Sequence, residues 1–311
     1  MRFLVTGGAG FLGAALTNQL AHSGHEVIVL DDLSSGNAAY LDTAVTFHQG
    51  DVDDVPRLWS LLQGVDCVYH LAARVSVAQS IHYPRDYTRV NVGGTVSLME
   101  AMRDTGVRRV VFTSSGAVYG RLPDQPVHEN DTPQPDSPYA VSKWAAEQYI
   151  HTIGQLWEIE TVALRIFNAY GPRQNLPPSH APVVPRFLQQ VLSGGSVVIF
   201  GDGQQTRDYV YVKDVVEALI AAATAVNINR QVINIGSGIE TNLNDLVNQM
   251  EIVTGRSVNR LYNGEKSGGV PRLVADISRA QTLLGFRPQT NLAAGLRLML
   301  QEDERFRRLA G

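Results

Sequence analysis

Tyr139 and Lys143 lie four residues apart in a stretch patterned as a helix, so a phenol and an ammonium group share one face. A free phenol ionises at about pH 10 and is a poor base at neutrality. A lysine cation beside it, or the positive ring of an oxidised nicotinamide, favours the phenolate and brings Tyr139 toward the working range of a general base. The spacing by itself also fits an exposed helix pair with no task. Upstream, the run Val110-Val111-Phe112-Thr113-Ser114-Ser115 is apolar and then ends in hydroxyls. Ser115 is suited to hydrogen-bond a reacting hydroxyl beside Tyr139, whereas strand-end hydroxyls in general also cap helices. Ser115, Tyr139 and Lys143 together read as a proton-transfer set, the candidate catalytic residues.

A second chemistry sits at the start of the chain. Thr6-Gly7-Gly8-Ala9-Gly10-Phe11-Leu12-Gly13 follows an apolar run and opens a helical pattern, the context a phosphate loop requires. The spacing of Gly7, Gly10 and Gly13 is G-x-x-G-x-x-G rather than G-x-G-x-x-G, and a plain tight turn has the same composition. Asp31 ends the second apolar run about twenty residues on, where a carboxylate accepts hydrogen bonds from an adenosine ribose. It would repel a 2′-phosphate, which favours NAD over NADP. Asp51, after the third run, either reaches the polar edges of adenine or caps the following helix.

These groups need a frame. Short β-branched runs at 2–6, 26–31, 46–49, 67–71, 109–114 and 160–165 alternate with helical patterns at 10–23, 55–62, 90–105 and 139–156. That alternation predicts a parallel sheet covered on both faces, with ligands at the carboxyl ends of its strands. Beyond Arg165, Pro172, Pro177, Pro178, Pro182 and Pro185 break up a loop-rich stretch. A helix is expected at 186–193, strands at 196–200 and 209–212, and a helix at 214–225. A strand near 232–235, a helix near 243–254 and a final helical pair complete the pattern.

Composition sets the outer limits. At 311 residues, 44% hydrophobic and 18% charged, the chain has the make-up of an ordinary globular protein with a sizeable core. A net charge of −4 gives no electrostatic case for a nucleic-acid or membrane-surface partner. No run reaches the roughly 20 apolar residues a membrane helix needs, and residues 1–6 are too short for a secretory signal. A cytoplasmic protein is expected. Its lone Cys67, in an apolar run, is read as a buried structural thiol, and no metal site is read.

The glycine loop, the His70-Leu71-Ala72-Ala73 segment, Ser115 and Tyr139-x-x-x-Lys143 together resemble the extended short-chain dehydrogenase/reductase family. The resemblance continues through Arg165 to Arg173 and Gly201 to Tyr209, covering essentially the whole chain, and leans to the UDP-glucose 4-epimerase branch. It implies an α/β fold: a Rossmann-type doubly wound parallel sheet with a smaller α/β substrate-binding lobe. Residues 1–167 would form the NAD-binding domain, with some later strands returning to its sheet, and 168–311 the substrate lobe. Gly7, Gly10, Phe11, Leu12, Gly13, Asp31, Asp51, Val52, Leu71, Ala72, Ala73, Asn91, Ser114, Tyr139 and Lys143 would bind NAD. Lys143 would hold the nicotinamide ribose and lower the phenol pKa of Tyr139. Dehydratases of the family carry an acid pair or Ser-Glu ahead of Val-Tyr-Gly; here Gly116 and Ala117 precede Val118-Tyr119-Gly120, which argues against water elimination. Ala117 also departs from the threonine of many epimerases.

For the substrate, the resemblance implies a UDP-sugar, with Asn168 and Arg207 on the diphosphate and Phe200 on uracil beside Ser115 and Tyr139. On the residues alone, Phe200 equally fits a core position and Arg207 a pair with Asp208. The family's tail Arg-x-Gly-Asp is Lys266-Ser267-Gly268-Gly269 here, so Lys266 can meet a phosphate but Gly269 offers the ribose no carboxylate. Arg272 is expected to take part of the phosphate contact. Leu273 falls where family members differ in pocket bulk. The implied reaction is inversion at C4 of UDP-glucose or UDP-galactose through a 4-keto intermediate, with glucuronate and N-acetylglucosamine nucleotides as alternatives. A non-catalytic NAD-binding regulator would share the fold without needing the full catalytic set. A homodimer is implied, through helices 90–105 and 139–156 as a four-helix bundle, although the apolar residues of both could be buried within one chain.

Overall fold

The computed structural model describes residues 1–264 and 269–310. The first half runs β1 (Arg2–Thr6), α1 (Phe11–His22), β2 (Glu26–Asp31), β3 (Thr46–Gln49), α2 (Val55–Leu61) and β4 (Cys67–His70). Short helices α3 (Val77–His82) and α4 (Pro84–Tyr87) then lead through a π-turn (Thr88–Gly93) into α5 (Gly94–Thr105). β5 (Arg109–Ser115), α6 (Pro138–Trp157) and β6 (Glu160–Ile166) follow. The second half comprises β7 (Asn168–Tyr170), α7 (Val183–Leu192), β8 (Val197–Phe200), β9 (Thr206–Tyr211), α8 (Val212–Thr224) and β10 (Gln231–Ile235). It ends with β11 (Glu240–Asn242), α9 (Leu243–Thr254), β12 (Arg260–Asn263), α10 (Ser278–Leu284), α11 (Leu292–Glu302) and α12 (Glu304–Ala310).

Seven strands form one sheet in the order β3-β2-β1-β4-β5-β6-β10, every pair parallel. The order reverses between β1 and β4, and the crevice outside their carboxyl ends is where a doubly wound sheet takes a ligand. Residue alternation along each strand supplies two cores. Phe3, Val5, Val29, Tyr69, Val111, Leu164 and Ile233 bury against α1 and α8. Leu4, Ile28, Val68, Val110, Phe112 and Ala163 bury on the opposite face, against α2, α5 and α6. Near the carboxyl ends, this second face turns polar: Thr6 is in register with His70, Ser114 with Arg165, and Arg165 with Asn234.

The remaining strands make a small sheet, β11-β9-β7, and a parallel pair of β8 and β12. Tyr170, Phe187, Leu188, Tyr211, Leu246, Leu296 and Phe306 close their core under α7, α9 and α11. β10 is parallel to β6, so the chain after β9 re-enters the large sheet.

Several expected boundaries shift. The helix expected at 90–105 starts as a π-turn, and α5 proper begins at Gly94, where a side chain would stand 2.3 Å from Val52. β9 stops at Tyr211 because Val212 already opens α8. β7, β11 and β12 are three or four residues long and lack apolar alternation, so no period-two signal marks them. Cys67 is a buried free thiol whose pKa burial pushes up to about 12. No described helix is long and apolar enough to cross a membrane.

Candidate active site

The glycine loop is held by close packing. Gly7 has φ +71°, and a Cβ there would lie 2.6 Å from the Ala72 nitrogen at the end of β4. A Cβ on Gly13 would come within 2.1 Å of the Gly7 carbonyl, so Gly13 seats α1 against the loop. Gly10 is the N-cap of α1 and no side chain caps the helix, leaving its first-turn amides for an anion. Phe11 and Leu12 send their side chains into the small-lobe core. Only their backbones are suited to a phosphate, which narrows the role expected of them.

The residues around the loop are already paired within the protein. Asp31 accepts hydrogen bonds from the amides of Ala9 (2.9 Å) and Leu33 (2.8 Å), tying β2 to the loop. Burial pushes its pKa up, and those amides act against the shift. Asp51 accepts from Arg89 (2.9 Å) and the Asp53 amide. The cap of α2 is Asp54, which accepts from the Arg57 amide, so the capping alternative for Asp51 is excluded. Val52 is buried.

Asn91, expected at NAD, is tied to its neighbours as an internal clamp. Its side chain pairs with both backbone groups of Arg74 (2.7 and 3.0 Å) and donates to Ser142 (2.8 Å). It thereby locks the segment after Leu71, Ala72 and Ala73 onto α6. Its amide is spent because the π-turn brings it between the two elements.

α6 starts abruptly at the residues that matter. Ser137 caps it by accepting from the Ala140 amide (3.2 Å), and Pro138 occupies the first turn. Tyr139 is partly buried and edge-on to Tyr87 at 6.3 Å. Burial raises the phenol pKa, and the nearby Ser115 hydroxyl opposes that. Ser115 also accepts from the Ala117 amide (3.2 Å).

Lys143 is buried, and its ammonium lies 4.4 Å over the Phe112 ring. One helical turn puts Tyr139 and Lys143 on one face, but the longer side chain folds down onto β5. Burial pushes Lys143 down to about 7, against the pull of Glu147.

Ser114, also expected at NAD, faces α6. Strand alternation aims it at α6 with Val110 and Phe112, and it donates to the Glu147 carboxylate at 2.7 Å.

The sequence reading also passed over His70, Glu147 and Arg74. Thr95 donates to the Asn91 carbonyl (2.6 Å), so its oxygen accepts from His70 Nε2 (2.9 Å), leaving Nδ1 to accept from Thr6 (2.7 Å). Burial, with the charge of Lys143, pushes His70 down to about 3 and keeps it neutral. Arg74 bridges Asp32 (3.1 Å) and the Ser34 hydroxyl across the crevice. Only Glu147 left a sequence signal, one turn beyond Lys143.

In the small lobe, Asn168 opens β7 and Phe200 closes β8. Phe200 is 37% exposed, which excludes a core position. Arg207 donates to the Thr206 carbonyl and makes no salt bridge among the described residues; burial pushes its pKa down. Its sequence neighbour Asp208 faces elsewhere, accepting from Ser237, Gly238 and Ala275, so the Arg207–Asp208 pair does not form. Gly269 has a structural reason: a Cβ there would stand 3.1 Å from the Arg207 guanidinium.

Arg272, expected near the phosphate, is paired within the chain. Glu240 holds it at 2.7 and 2.9 Å, drawing it into a surface pair, because β11 runs beside β9 and presents that carboxylate. Lys266 lies outside the described residues. Leu273 is buried with Tyr119 and Phe167, and a Cβ on Gly116 would meet the Phe167 ring at 3.2 Å. Gly116 therefore packs tightly under the Phe167 ring.

Residues 3–236 match the family model of the NAD dependent epimerase/dehydratase family. A UDP-glucose 4-epimerase of Mycolicibacterium smegmatis is 40% identical over 303 residues, covering 95% of this chain and 96% of that protein. The crystal structure of a UDP-glucose 4-epimerase of Thermotoga maritima with UDP-glucose superposes with a TM-score of 0.94 at 35% identity, covering all of both chains. That of Thermus thermophilus UDP-glucose 4-epimerase with NAD gives 0.90 at 34% identity over 99% of each. With its parallel seven-stranded sheet, glycine loop and Ser115/Tyr139/Lys143 set, the chain belongs to the NAD dependent epimerase/dehydratase family.

Proposed function

We propose that this chain inverts C4 of a UDP-sugar, interconverting UDP-glucose and UDP-galactose through a 4-keto intermediate with tightly held NAD. One observation carries the reading. Ser115, at the end of β5, and Tyr139, in the first turn of α6, come together at the carboxyl edge of the sheet, while Gly116, packed against the Phe167 ring, supplies no acid for elimination. The residues present fit the dinucleotide: α1 is uncapped, Gly7 and Gly13 close the loop, and Asp31 ends β2 beside it, tied to the Ala9 amide. NAD, when bound, supplies the acceptor and donor of hydride at C4. Tyr139 takes the 4-hydroxyl proton and later returns it. Ser115 orients that hydroxyl, and Lys143 supplies the local positive charge. Arg207 is the cation for the diphosphate, with Asn168 beside it and Phe200 as the apolar surface for uracil.

Incubation with a panel of nucleotide sugars, followed by chromatographic separation of C4 epimers, tests the reading. UDP-galactose should form from UDP-glucose without accumulation of NADH. No epimer from any sugar, or NADH stoichiometric with product, overturns it. The chain is further proposed to work in the cytoplasm as a homodimer. Val141, Tyr149 and Leu156 are exposed on α6, although its inner face is buried within the chain. Light scattering that gives a monomer mass would sink the dimer.

A further inference from the structure

One turn beyond Lys143, Glu147 is fully buried, yet the catalytic set makes no use of it. Its carboxylate accepts from Ser114 at 2.7 Å and from Arg165 at 3.1 and 2.6 Å, so β5, β6 and α6 meet on one charged group. Arg165 is itself buried, stacks 4.7 Å over the Tyr119 ring and leaves Nη1 without a partner. Tyr119 continues the chain by donating to Asn234 on β10 (2.7 Å). A buried ion pair of this kind adds little net stability, because desolvation offsets the attraction. Its placement against the catalytic helix suggests another task.

The groups that face Lys143 come from every element around it. His70 on β4 is neutral, Phe112 on β5 offers its ring face, and Tyr139 and Glu147 share α6. Tyr87 on α4 packs on Tyr139, and Arg165 on β6 lies across the Glu147 carboxylate. Burial drives Lys143 toward its neutral amine, and Glu147 opposes that. Ser114, next in sequence to Ser115, ties the same carboxylate to the strand end that carries the substrate hydroxyl partner.

We infer that Glu147 is a positioning residue: held by Ser114 and Arg165, its buried carboxylate keeps the Lys143 ammonium charged and locks α6 to the end of β5. The inference rests on the epimerase reading for its consequence in turnover, but its physical core is independent of that reading. Lys143, Lys213 and Lys266 are the lysines of the chain. Lysine-selective ε-13C or ε-15N labelling therefore follows Lys143 directly by NMR in the purified protein, with Lys143→Met giving the assignment.

In Glu147→Gln the Lys143 midpoint should fall by about one pH unit or more, since an opposite charge nearby is lost. The double substitution Glu147→Gln/Arg165→Met removes both charges and should fold even if the single variant does not, as neutral replacement of buried pairs is commonly tolerated. The Lys143 midpoint should remain lowered in it. In turnover, the basic limb of the kcat profile should move to lower pH by the same amount, with KM little changed. An unshifted Lys143 midpoint in the folded double variant overturns the inference, as does a shift in the single variant that the double variant abolishes. Absence of turnover in the wild type would overturn the epimerase reading and leave the titration result standing.

Discussion

The crevice at the ends of β1, β2 and β4 and the wall built by β7, β8 and β9 treat their polar groups in opposite ways. In the crevice each buried polar side chain already has a partner: Asp31 holds two amides, Asn91 clamps Arg74 and Ser142, and His70 sits between Thr6 and Thr95. In the wall, Arg207 is a partly buried cation bonded to a backbone carbonyl, with no salt bridge among the described residues, and Phe200 lies open. A prebuilt crevice suits a cofactor retained through turnover, because little reorganises when it binds. A desolvated, unmatched cation suits an anionic group that arrives and leaves each cycle.

The largest effect is expected at the seam between the two regions. Tyr139→Phe should lower kcat about 10³-fold, within the usual range for a lost general base, while NAD affinity and melting temperature hold. Turnover at the wild-type rate would remove Tyr139 from the chemistry. Next comes rigidity of the crevice. Gly13→Val forces atoms into a space 2.1 Å from the Gly7 carbonyl, costing about 3 kcal/mol. Thermal melts and NAD titration by fluorescence should both worsen; normal NAD binding would show a pliable loop.

The wall should respond in the reverse sense. Arg207→Met should raise KM for the nucleotide sugar by about 10- to 100-fold, the range for a charge-assisted hydrogen bond. The melting temperature of the ligand-free protein should hold or rise, because an unmatched cation is gone. A marked fall in melting temperature would mean Arg207 is structural and the comparison fails.

His70 gives the crevice a pH signature. Its folded pKa lies below the unfolded value, so the stabilisation is complete above about pH 6.5 and is lost as pH falls toward the folded value of about 3. Between pH 6.5 and 5 this amounts to about 2 kcal/mol. His70→Gln should flatten melting temperature against pH over that window, and an unchanged slope would place the acid sensitivity elsewhere. The smallest effect belongs to Arg272. Its exposed pair with Glu240 contributes less than about 1 kcal/mol, and Arg272→Ala should alter KM less than about threefold. A tenfold rise would return Arg272 to the phosphate site.

The amino-acid sequence carried most of the large sheet and the three residues of the proposed catalytic set. Strand runs such as 2–6 and 26–31 and helices such as 55–61 repeat at the period of their own element, a property of neighbouring residues. Gly7, Gly13 and Tyr139/Lys143 are legible for the same reason: loop closure and one helical turn are short-range geometry. Long-range pairing is not written that way. The sheet order brings Ser114 and Arg165 into register and hands both to Glu147, 33 and 18 residues away in sequence. It makes Asn91 a clamp on Arg74 and Ser142, gives Arg272 to Glu240, and packs Gly116 tightly against Phe167. What the sequence by itself determined was which residues could do chemistry and on which kind of element. Which partner each polar group finds was decided only in the tertiary structure, because a buried donor or acceptor must be satisfied by whatever the fold brings beside it.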